Sequence, residues 1–312
     1  MSGPQGKEHR FGRSLLLKLV KTEHKWLPAT QSFLLSILPL WVYRVSSLLG
    51  THTAYLVGLP ILFWLQYPEQ PGREWSQSLF VFGRGTVLIL AGGVCWTSLV
   101  KDYWCLPRPK PQTALKQISV SNYHAKEFGF PSTHSAHAIG VALYTYIWMA
   151  KHAPQFLLAH PWIIVALAVY ATLVPSSRLA TGMHGYTDVI GGLIIGLVSC
   201  AVVCQTEDLL NAWLIRSTLL QVCLTMIVLL LSLGMIHPDP ISHCPCYVDS
   251  VCFASVVVGV IIGGKLLLIQ SESLVLVSAR GWLSAIQRVL VGVCFVIAWK
   301  YGLSFVFGKV MG

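Results

Sequence analysis

The sequence predicts an all-α protein, a polytopic membrane helix bundle of about eight or nine membrane segments with its active site at one membrane face. The first observation behind this fold class is the composition. The 312 residues are 54% hydrophobic and 11% charged, with a mean hydropathy of +0.65, whereas a soluble domain carries about 25% charged residues. The second is that apolar residues recur in runs close to the ~20 residues that a helix needs to cross hydrocarbon.

Residues 1–30 form a basic N-terminal arm that is predicted to lie on the membrane surface. Between Phe11 and Trp26, apolar residues recur at helical spacing with lysines between them. This pattern is typical of an interfacial helix on anionic lipid, and a disordered basic tail is the alternative. The formal net charge of +10 favours a membrane surface or an anionic substrate, and it is not arranged like a nucleic-acid-binding face.

The remaining apolar runs define the predicted membrane segments. Residues 31–50 are broken by a proline and an arginine, so this run either spans, re-enters or lies at the interface. The clearer spans are 53–65, 80–100, 135–150, 162–174, 189–204, 219–236, 251–269 and 289–307. Residues 31–205 are expected to form the core that carries the motifs, with residues 206–312 adding segments packed on it.

A histidine and an aspartate lie one helical step apart at the start of an apolar run. If a helix begins near His184, then Asp188 at i+4 lies on the face of the imidazole. The carboxylate would accept a hydrogen bond from one ring nitrogen, fix the tautomer and leave the other nitrogen as a nucleophile. Arg178 would hold an anion beside that nitrogen.

Two earlier stretches add cations, a second histidine and a helix start. Lys101 and Arg108 belong to a proline-containing turn, and residues 131–134 place a proline where it suits the first turn of a helix. The backbone N–H groups at positions 132–134 would then be unpaired donors, which bind phosphate together with the positive end of the helix dipole. Together these groups indicate phosphoryl transfer without a metal.

The order of the segments places the motifs on one membrane face. Loops 101–134 and 175–188 are separated by two predicted spans, so they emerge on the same side. The basic arm is expected in the cytosol. The site then faces the lumen if residues 31–50 span the membrane, and the cytosol if they do not.

The three motifs also resemble a family signature. The pattern Lys-x6-Arg-Pro, Pro-Ser-x-His and Ser-Arg-x5-His-x3-Asp is similar to that of the type 2 phosphatidic acid phosphatase superfamily, the lipid phosphate phosphatases. Thr133 stands where the superfamily usually has glycine, and this wording resembles the branch acting on sphingoid long-chain base 1-phosphates, in particular its fungal members in the endoplasmic reticulum. The matching residues are Lys101, Arg108, Pro109, Pro131, Ser132, His134, Ser177, Arg178, His184 and Asp188.

The resemblance implies a metal-independent lipid phosphate monoester hydrolase that works through a phosphohistidine and needs no cofactor. Its implied substrates are dihydrosphingosine, phytosphingosine or sphingosine 1-phosphate, and its implied place is the endoplasmic reticulum membrane with a luminal site. It implies the catalytic residues His184 as nucleophile, His134 as acid and base, and Asp188. It implies the phosphate-binding residues Lys101, Arg108, Ser132, Thr133 and Arg178.

Other interpretations of the same residues stay open. The substrate could instead be phosphatidic acid or a polyprenyl diphosphate, and a protein of this fold could bind or move phospholipid without hydrolysis. Taken singly, Lys101 could mark a membrane interface and Asp188 could be a helix N-terminal charge. Asp102 and Glu127 are candidates to recognise the ammonium group of a sphingoid base, with a solvated loop charge as the alternative.

Two cysteines stand apart from the others. Most of the nine cysteines lie in apolar runs, where cysteine behaves as a small hydrophobic residue. Cys244 and Cys246 lie close to His243 in a polar loop, but two thiols and one histidine lack a fourth metal ligand. Free thiols are the expectation for this pair. If the loop is luminal, a disulfide to a neighbouring loop is the alternative, whereas a bridge between Cys244 and Cys246 themselves would be strained.

Overall fold

A computed structural model of the chain is all-helical in the part that it describes. It describes residues 10–51, 55, 58–59, 75–110, 116–118, 127–273, 286–296 and 298. The helices in chain order are α1 (Arg13–Glu23), α2 (Leu27–Ile37), α3 (Leu40–Leu49), α4 (Trp75–Trp104), α5 (Thr133–His152), α6 (Pro154–Ala159), α7 (Trp162–Ala180), α8 (Tyr186–Arg216), α9 (Leu219–Ile236), α10 (Cys246–Ser273) and α11 (Ile286–Val296).

The chain is a multi-pass membrane protein. Helices α4, α7, α8, α9 and α10 are long and apolar enough to cross a membrane, which gives five candidate spans among the described residues, or up to six if α2 and α3 together count as one. The predicted spans at 53–65 and 289–307 fall largely outside the described residues, so the total of eight or nine stays a prediction. The most apolar stretch of α9 is only 11% buried within the protein, which leaves its side chains to face lipid.

Helix α5 lies at the centre of the bundle, packed against α4, α7 and α8. It is helical where a span was predicted, but it is not among the five apolar candidates because its inward face carries polar side chains such as His137 and Tyr144. Glycine allows α8 to approach it closely, since a Cβ at Gly196 would lie 2.3 Å from the Ala136 carbonyl oxygen. Lipid tails are as apolar as the side chains, so such close van der Waals packing holds membrane helices together.

A sharp bend divides residues 31–50. Helices α2 and α3 meet at 99°, where Leu38 is extended and Pro39 precedes α3. The side chain of Gln31 in α2 donates to the carbonyl of Ala180 at the end of α7. At the other end of the pair, Ser47 in α3 contacts Arg178, also at the end of α7. Both arms of the bent pair therefore contact the same end of the bundle, as in a re-entrant segment.

Helix α1 confirms the helical form predicted for the basic arm. It packs on α8, and its buried Val20 joins Leu106 and Phe130 in a small apolar cluster. The carboxylate of Glu23 accepts hydrogen bonds from the backbone N–H and the hydroxyl of Thr187, both at 2.8 Å. Burial raises the pKa of Glu23, and these two hydrogen bonds oppose that shift. The arm thus lies at the end of the bundle where α8 begins.

Candidate active site

The predicted motif residues converge on one small pocket at this end of the bundle. It lies where α4 ends, where α5 begins and where α7 gives way to α8. The lining residues are Lys101, Arg108, Glu127, Thr133, His134, Arg178 and His184. The structure therefore brings together side chains that lie up to 83 positions apart in the sequence.

His184 and Asp188 form the buried pair that their spacing predicts. His184 Nδ1 lies 3.3 Å from Asp188 Oδ2, and the two side chains are 2% and 1% exposed. Gly185 caps α8, and its backbone N–H donates to the same carboxylate oxygen at 3.0 Å. Asp188 is the third residue of the helix, so its charge also lies favourably near the positive end of the helix dipole. The carboxylate is thereby fixed on both the imidazole and the helix start.

The contacts of His184 define its tautomer. Arg108 Nη1 lies 2.9 Å from His184 Nε2, and a guanidinium can only donate hydrogen bonds. His184 Nε2 is therefore the acceptor, and the ring proton is on Nδ1, where it faces Asp188. This assignment leaves the Nε2 lone pair directed into the pocket.

The pKa of His184 lies well below its usual value of 6.5. Burial of the ring is the main cause, and the cations Arg108, Arg178 and Lys101 add to it. The imidazole is consequently neutral at neutral pH, which is the form that a nucleophile needs. Burial also lowers the pKa of Arg108, although Glu127 and Asp188 oppose that shift by favouring its charge.

Arg178 enters the pocket from the last turn of α7. Its Nη1 donates to the hydroxyl of Ser47 at 2.6 Å, while its Nε is buried and without a hydrogen-bond partner. An unpartnered buried guanidinium nitrogen is costly, and a hydrogen-bond acceptor placed at this nitrogen would remove that cost. Ser47 lies in an apolar run of the sequence, and no local signal marks it as a support for Arg178.

Lys101 and Glu127 form an ion pair inside the pocket. Lys101 Nζ donates to Glu127 Oε2 and, at 3.0 Å, to the hydroxyl of Thr133. The same carboxylate oxygen lies 3.7 Å from Arg108 Nη2. Three cations against one carboxylate leave the pocket electropositive, as a phosphate site requires. The sequence marks Glu127 as an acid near the motifs, but its pairing with two motif cations was not anticipated.

Ser132 lies just before the first turn of α5, earlier relative to the helix than the sequence predicted. It is the N-cap of α5, so Pro131 precedes the cap instead of occupying the first turn. The backbone N–H of Ser132 donates to the carbonyl of Asp188 at 2.8 Å, so the expectation of an unpaired donor at this position is wrong. Its hydroxyl lies 3.0 Å from that of Ser135, and Ser132 is outside the pocket lining.

Asp102 also lies outside the pocket lining. It is fully buried, and its Oδ2 accepts a hydrogen bond from Nε2 of His237 at 2.9 Å. Among the described residues, the carboxylate of Asp102 lies close to the sulfurs of Cys244 and Cys246, with one such atom of each residue within 4.8 Å of the others. The structure joins the two cysteines as a disulfide, which contradicts the expectation of free thiols.

The fold and the site together define a multi-pass membrane protein with a cation-lined pocket that holds an oriented histidine and its acid partner. The family model described as the PAP2 superfamily matches residues 82–211, and the chain carries a PAP2 superfamily domain there.

Two curated relatives extend the similarity beyond that domain. A dihydrosphingosine 1-phosphate phosphatase of Schizosaccharomyces pombe is 28% identical over 92% of this chain and 67% of its own length. A second protein of that name, from Saccharomyces cerevisiae, is 31% identical over 84% of this chain and 62% of its own length. The chain thus spans about two thirds or less of the length of these relatives.

A solved structure shows a further similarity. It is the crystal structure of a transmembrane PAP2 type phosphatidylglycerolphosphate phosphatase from Bacillus subtilis, at 22% identity and a TM-score of 0.44, covering 67% of this chain and 97% of that one.

Proposed function

We propose that this protein hydrolyses the phosphate monoester of sphingoid long-chain base 1-phosphates through a phosphohistidine. One observation carries the proposal: Asp188 holds one nitrogen of a neutral His184, and the other nitrogen faces a pocket lined by three cations. The names of the two yeast relatives support the substrate class.

Substrate binding begins with an exchange of partners in the pocket. Lys101, Arg108 and Arg178 bind the non-bridging phosphate oxygens, and the unpartnered Nε of Arg178 gains an acceptor. As Arg108 turns toward the phosphate, it releases the lone pair of His184 Nε2. Because charge remains on these oxygens through a loose transition state, fixed cations stabilise it without a metal.

The first chemical step transfers the phosphoryl group to the enzyme. His184 Nε2 attacks phosphorus, the bond from phosphorus to the lipid oxygen breaks, and a phosphohistidine forms. His134 donates a proton to the departing alkoxide, so the lipid leaves as an alcohol. Asp188 stabilises the positive charge that develops on the His184 ring.

The second step returns the enzyme to its starting state. His134, now neutral, removes a proton from a water molecule that attacks phosphorus, and the bond between phosphorus and Nε2 breaks. Inorganic phosphate leaves, and His134 is protonated again for the next cycle. His134 therefore acts first as an acid and then as a base, His184 is first the nucleophile and then the leaving group, and the protein is unchanged at the end of the cycle.

Glu127 is proposed to recognise the ammonium group of the substrate. In the resting pocket its carboxylate pairs with Lys101, and a bound phosphate competes for that lysine. The ammonium next to the phosphate in a sphingoid base offers Glu127 a new partner. Phosphatidic acid has no such cation, so its binding would leave the buried carboxylate short of charge compensation.

The finer location is also part of the proposal. We place the protein in the endoplasmic reticulum membrane with a luminal site, as the family resemblance implies. Because α1 lies at the same end of the bundle as the site, the basic arm is then luminal too. A luminal site and a cytosolic arm exclude each other.

The test is phosphate release by the purified, detergent-solubilised protein from dihydrosphingosine 1-phosphate and from phosphatidic acid, with EDTA present. His184→Ala is expected to lose at least ~10³-fold in rate, because the nucleophile is gone. Glu127→Gln is expected to reduce the preference for the sphingoid substrate. Surface variant Lys151→Gln is the control, since Lys151 is exposed at the other end of α5.

Three results would count against the scheme. Near-normal hydrolysis by His184→Ala would contradict a phosphohistidine intermediate on His184. Equal hydrolysis of both lipids by the wild type would retain the mechanism and remove the narrow specificity. Binding of either lipid without phosphate release would indicate a lipid-handling protein instead of an enzyme.

A further inference from the structure

We propose that the outer face of α1 binds anionic lipid at the membrane surface, and that this binding holds the arm as a clamp on two helix ends that form the phosphate pocket. The surface in question, which we call the lipid face, consists of the exposed side chains Phe11, Leu15, Lys18, Leu19, Lys21, Lys25 and Trp26. The lipid contact is independent of the proposed activity, whereas its effect on hydrolysis rests on that activity.

One end of the clamp caps the last turn of α4, where Lys101 lies. The last carbonyls of a helix have no partner within it, and cationic side chains suit the negative end of its dipole. Arg10 donates to the carbonyl of Asp102. Arg13 Nε donates to the carbonyl of Trp104 at 2.9 Å. The arm therefore completes the helix end that presents Lys101 to the pocket.

The other end of the clamp caps α8, which carries Asp188. The N-cap Gly185 has no side chain that could accept a hydrogen bond from the first turn. Glu23 supplies the acceptor, since its Oε2 takes hydrogen bonds from the backbone N–H and the hydroxyl of Thr187, each at 2.8 Å. A Cβ added at Gly185 would overlap Oε1 of Glu23. The 11 residues of α1 thus connect the two helix ends over roughly 15 Å.

The apolar side chains of α1 divide between two faces. The buried Val20 and its partly buried neighbours face the bundle. On the side away from the bundle, Phe11, Leu15 and Leu19 follow at i to i+4 spacing and are 89%, 63% and 49% exposed. A row of exposed large apolar side chains marks an interaction site. Trp26, which is also exposed, is an aromatic residue typical of the membrane–water interface.

Three lysines give the lipid face its charge. Lys18, Lys21 and Lys25 are exposed and recur every three or four residues, so they line one side of the apolar row. Between residues 10 and 30 the sequence contains one acidic residue, Glu23, and Thr187 already binds it. A helix with an apolar stripe beside lysines lies on a membrane surface, and each lysine near an anionic leaflet strengthens binding about fivefold. The lipid face therefore fits an anionic lipid surface.

Lipid binding and the two caps belong to one helix, so they are linked energetically. An arm held on the membrane surface keeps Glu23 on Thr187, whereas release from the surface frees both caps to open. A ligand that binds the docked arm better than the released arm shifts the population toward the docked state. Anionic lipid is therefore expected to stabilise the start of α8 and, with it, the position of Asp188.

The experiment compares the full-length protein in nanodiscs of phosphatidylcholine alone and in nanodiscs that also contain phosphatidylserine, which is a phosphodiester and not a monoester substrate. Lysine acetylation, quantified by mass spectrometry, reports on the lipid face. Amide hydrogen exchange of the peptide that contains Thr187 reports on the cap of α8. We expect phosphatidylserine to protect Lys18, Lys21 and Lys25 and to slow exchange at Thr187. Neither readout requires phosphate release, so failure of the clamp and failure of the proposed activity are distinguishable.

The triple variant K18Q/K21Q/K25Q removes the charge of the lipid face and leaves both caps in place. It is expected to lose the slowing of exchange that phosphatidylserine causes in the wild type. In active protein, phosphatidylserine is expected to raise kcat about fivefold or more, and the triple variant is expected to lose this increase. The control is Lys151→Gln with Arg216→Gln, which removes two exposed cations at the other end of the bundle.

Glu23→Gln separates lipid binding from the cap. Its lysines are expected to stay protected by phosphatidylserine, while exchange at Thr187 no longer slows, because a neutral amide accepts a weaker hydrogen bond than a carboxylate. The lipid contact is overturned if the wild-type lysines are equally labelled in both nanodiscs, or if the triple variant responds as the wild type does. The clamp is overturned if lipid protects the lysines without slowing exchange at Thr187. An unchanged kcat alongside slowed exchange would overturn the effect on hydrolysis.

Discussion

At the scale of single residues, the charge around His184 decides at which pH the imidazole can act. Its pKa is held down by burial and then by Arg108, which also donates to Nε2. A protonated ring cannot attack phosphorus, so activity is lost on the acid side of this pKa. Because the pKa is depressed, the loss that His184 causes lies well below pH 6.5 in the wild type.

Arg108→Gln is expected to move that acid limb toward neutral pH. Without the guanidinium, the protonated ring is less disfavoured and the pKa of His184 rises. The measurement is the pH profile of kcat/KM, which reports ionisations of the free enzyme and free substrate. Arg108→Lys retains a positive charge and is the control. An unchanged limb in Arg108→Gln, alongside a lower rate, would show that Arg108 binds phosphate without tuning the histidine.

The residue scale also shows what the sequence can predict about the site. The contact between His184 and Asp188 that their i to i+4 spacing predicts is present in the structure, because both residues lie at or next to the start of one helix. Ser47 could not be identified in this way, because its contact with Arg178 depends on a bend that returns α3 to the site. Glu127 was identified only as a nearby acid, since its ion pairs depend on loops that meet in three dimensions.

At the scale of elements, the close contact between α5 and α8 fixes how the starts of these two helices lie relative to each other. Helix α5 begins beside His134, and α8 begins just after His184. The two helices approach over Gly196, where an added Cβ would lie 2.3 Å from a carbonyl oxygen and 2.5 Å from the side chain of Ile139. A backbone atom cannot move aside as a side chain does, so any larger residue must push the helices apart.

Gly196→Ala is therefore expected to lower the thermal unfolding temperature and the rate together, with overpacking that costs about 1–3 kcal/mol. The measurements are a melting curve in detergent and phosphate release at a temperature where the variant is folded. Gly259→Ala is the control, because an added Cβ there meets nothing within 4 Å. Equal melting temperatures for the wild type and Gly196→Ala would contradict the tight contact.

At the scale of the whole molecule, the arm and the pocket share one face of the membrane. Counting predicted spans in the sequence could not decide whether the arm and the pocket lie on the same face, because the count depended on whether residues 31–50 cross the membrane. The bent pair α2–α3 contacts the site end with both of its arms, so the cytosolic arm and the luminal site cannot both hold. Composition predicted the membrane bundle correctly, but the bend at Pro39 was only one of three outcomes that it allowed.

Protease protection in sealed microsomes tests this arrangement. One epitope tag precedes the arm, and a second is inserted at Ser217, between α8 and α9 on the opposite face. One tag is expected to be digested and the other protected, and a luminal site requires that the protected tag is the one on the arm. Identical behaviour of both tags would contradict the shared face, while digestion of the arm tag alone would place the site in the cytosol.

The contact of Ser47 with Arg178 shows that the residues that support the site extend beyond those that the family model matches. Ser47 lies upstream of residues 82–211, as does Glu23, which accepts hydrogen bonds from Thr187 in the first turn of the helix that carries Asp188. A fragment cut at the borders of the match would contain every motif residue and still lack two of the side chains that frame them. Grafting the motifs alone into another membrane protein would transfer the motif side chains without the supporting residues that position them.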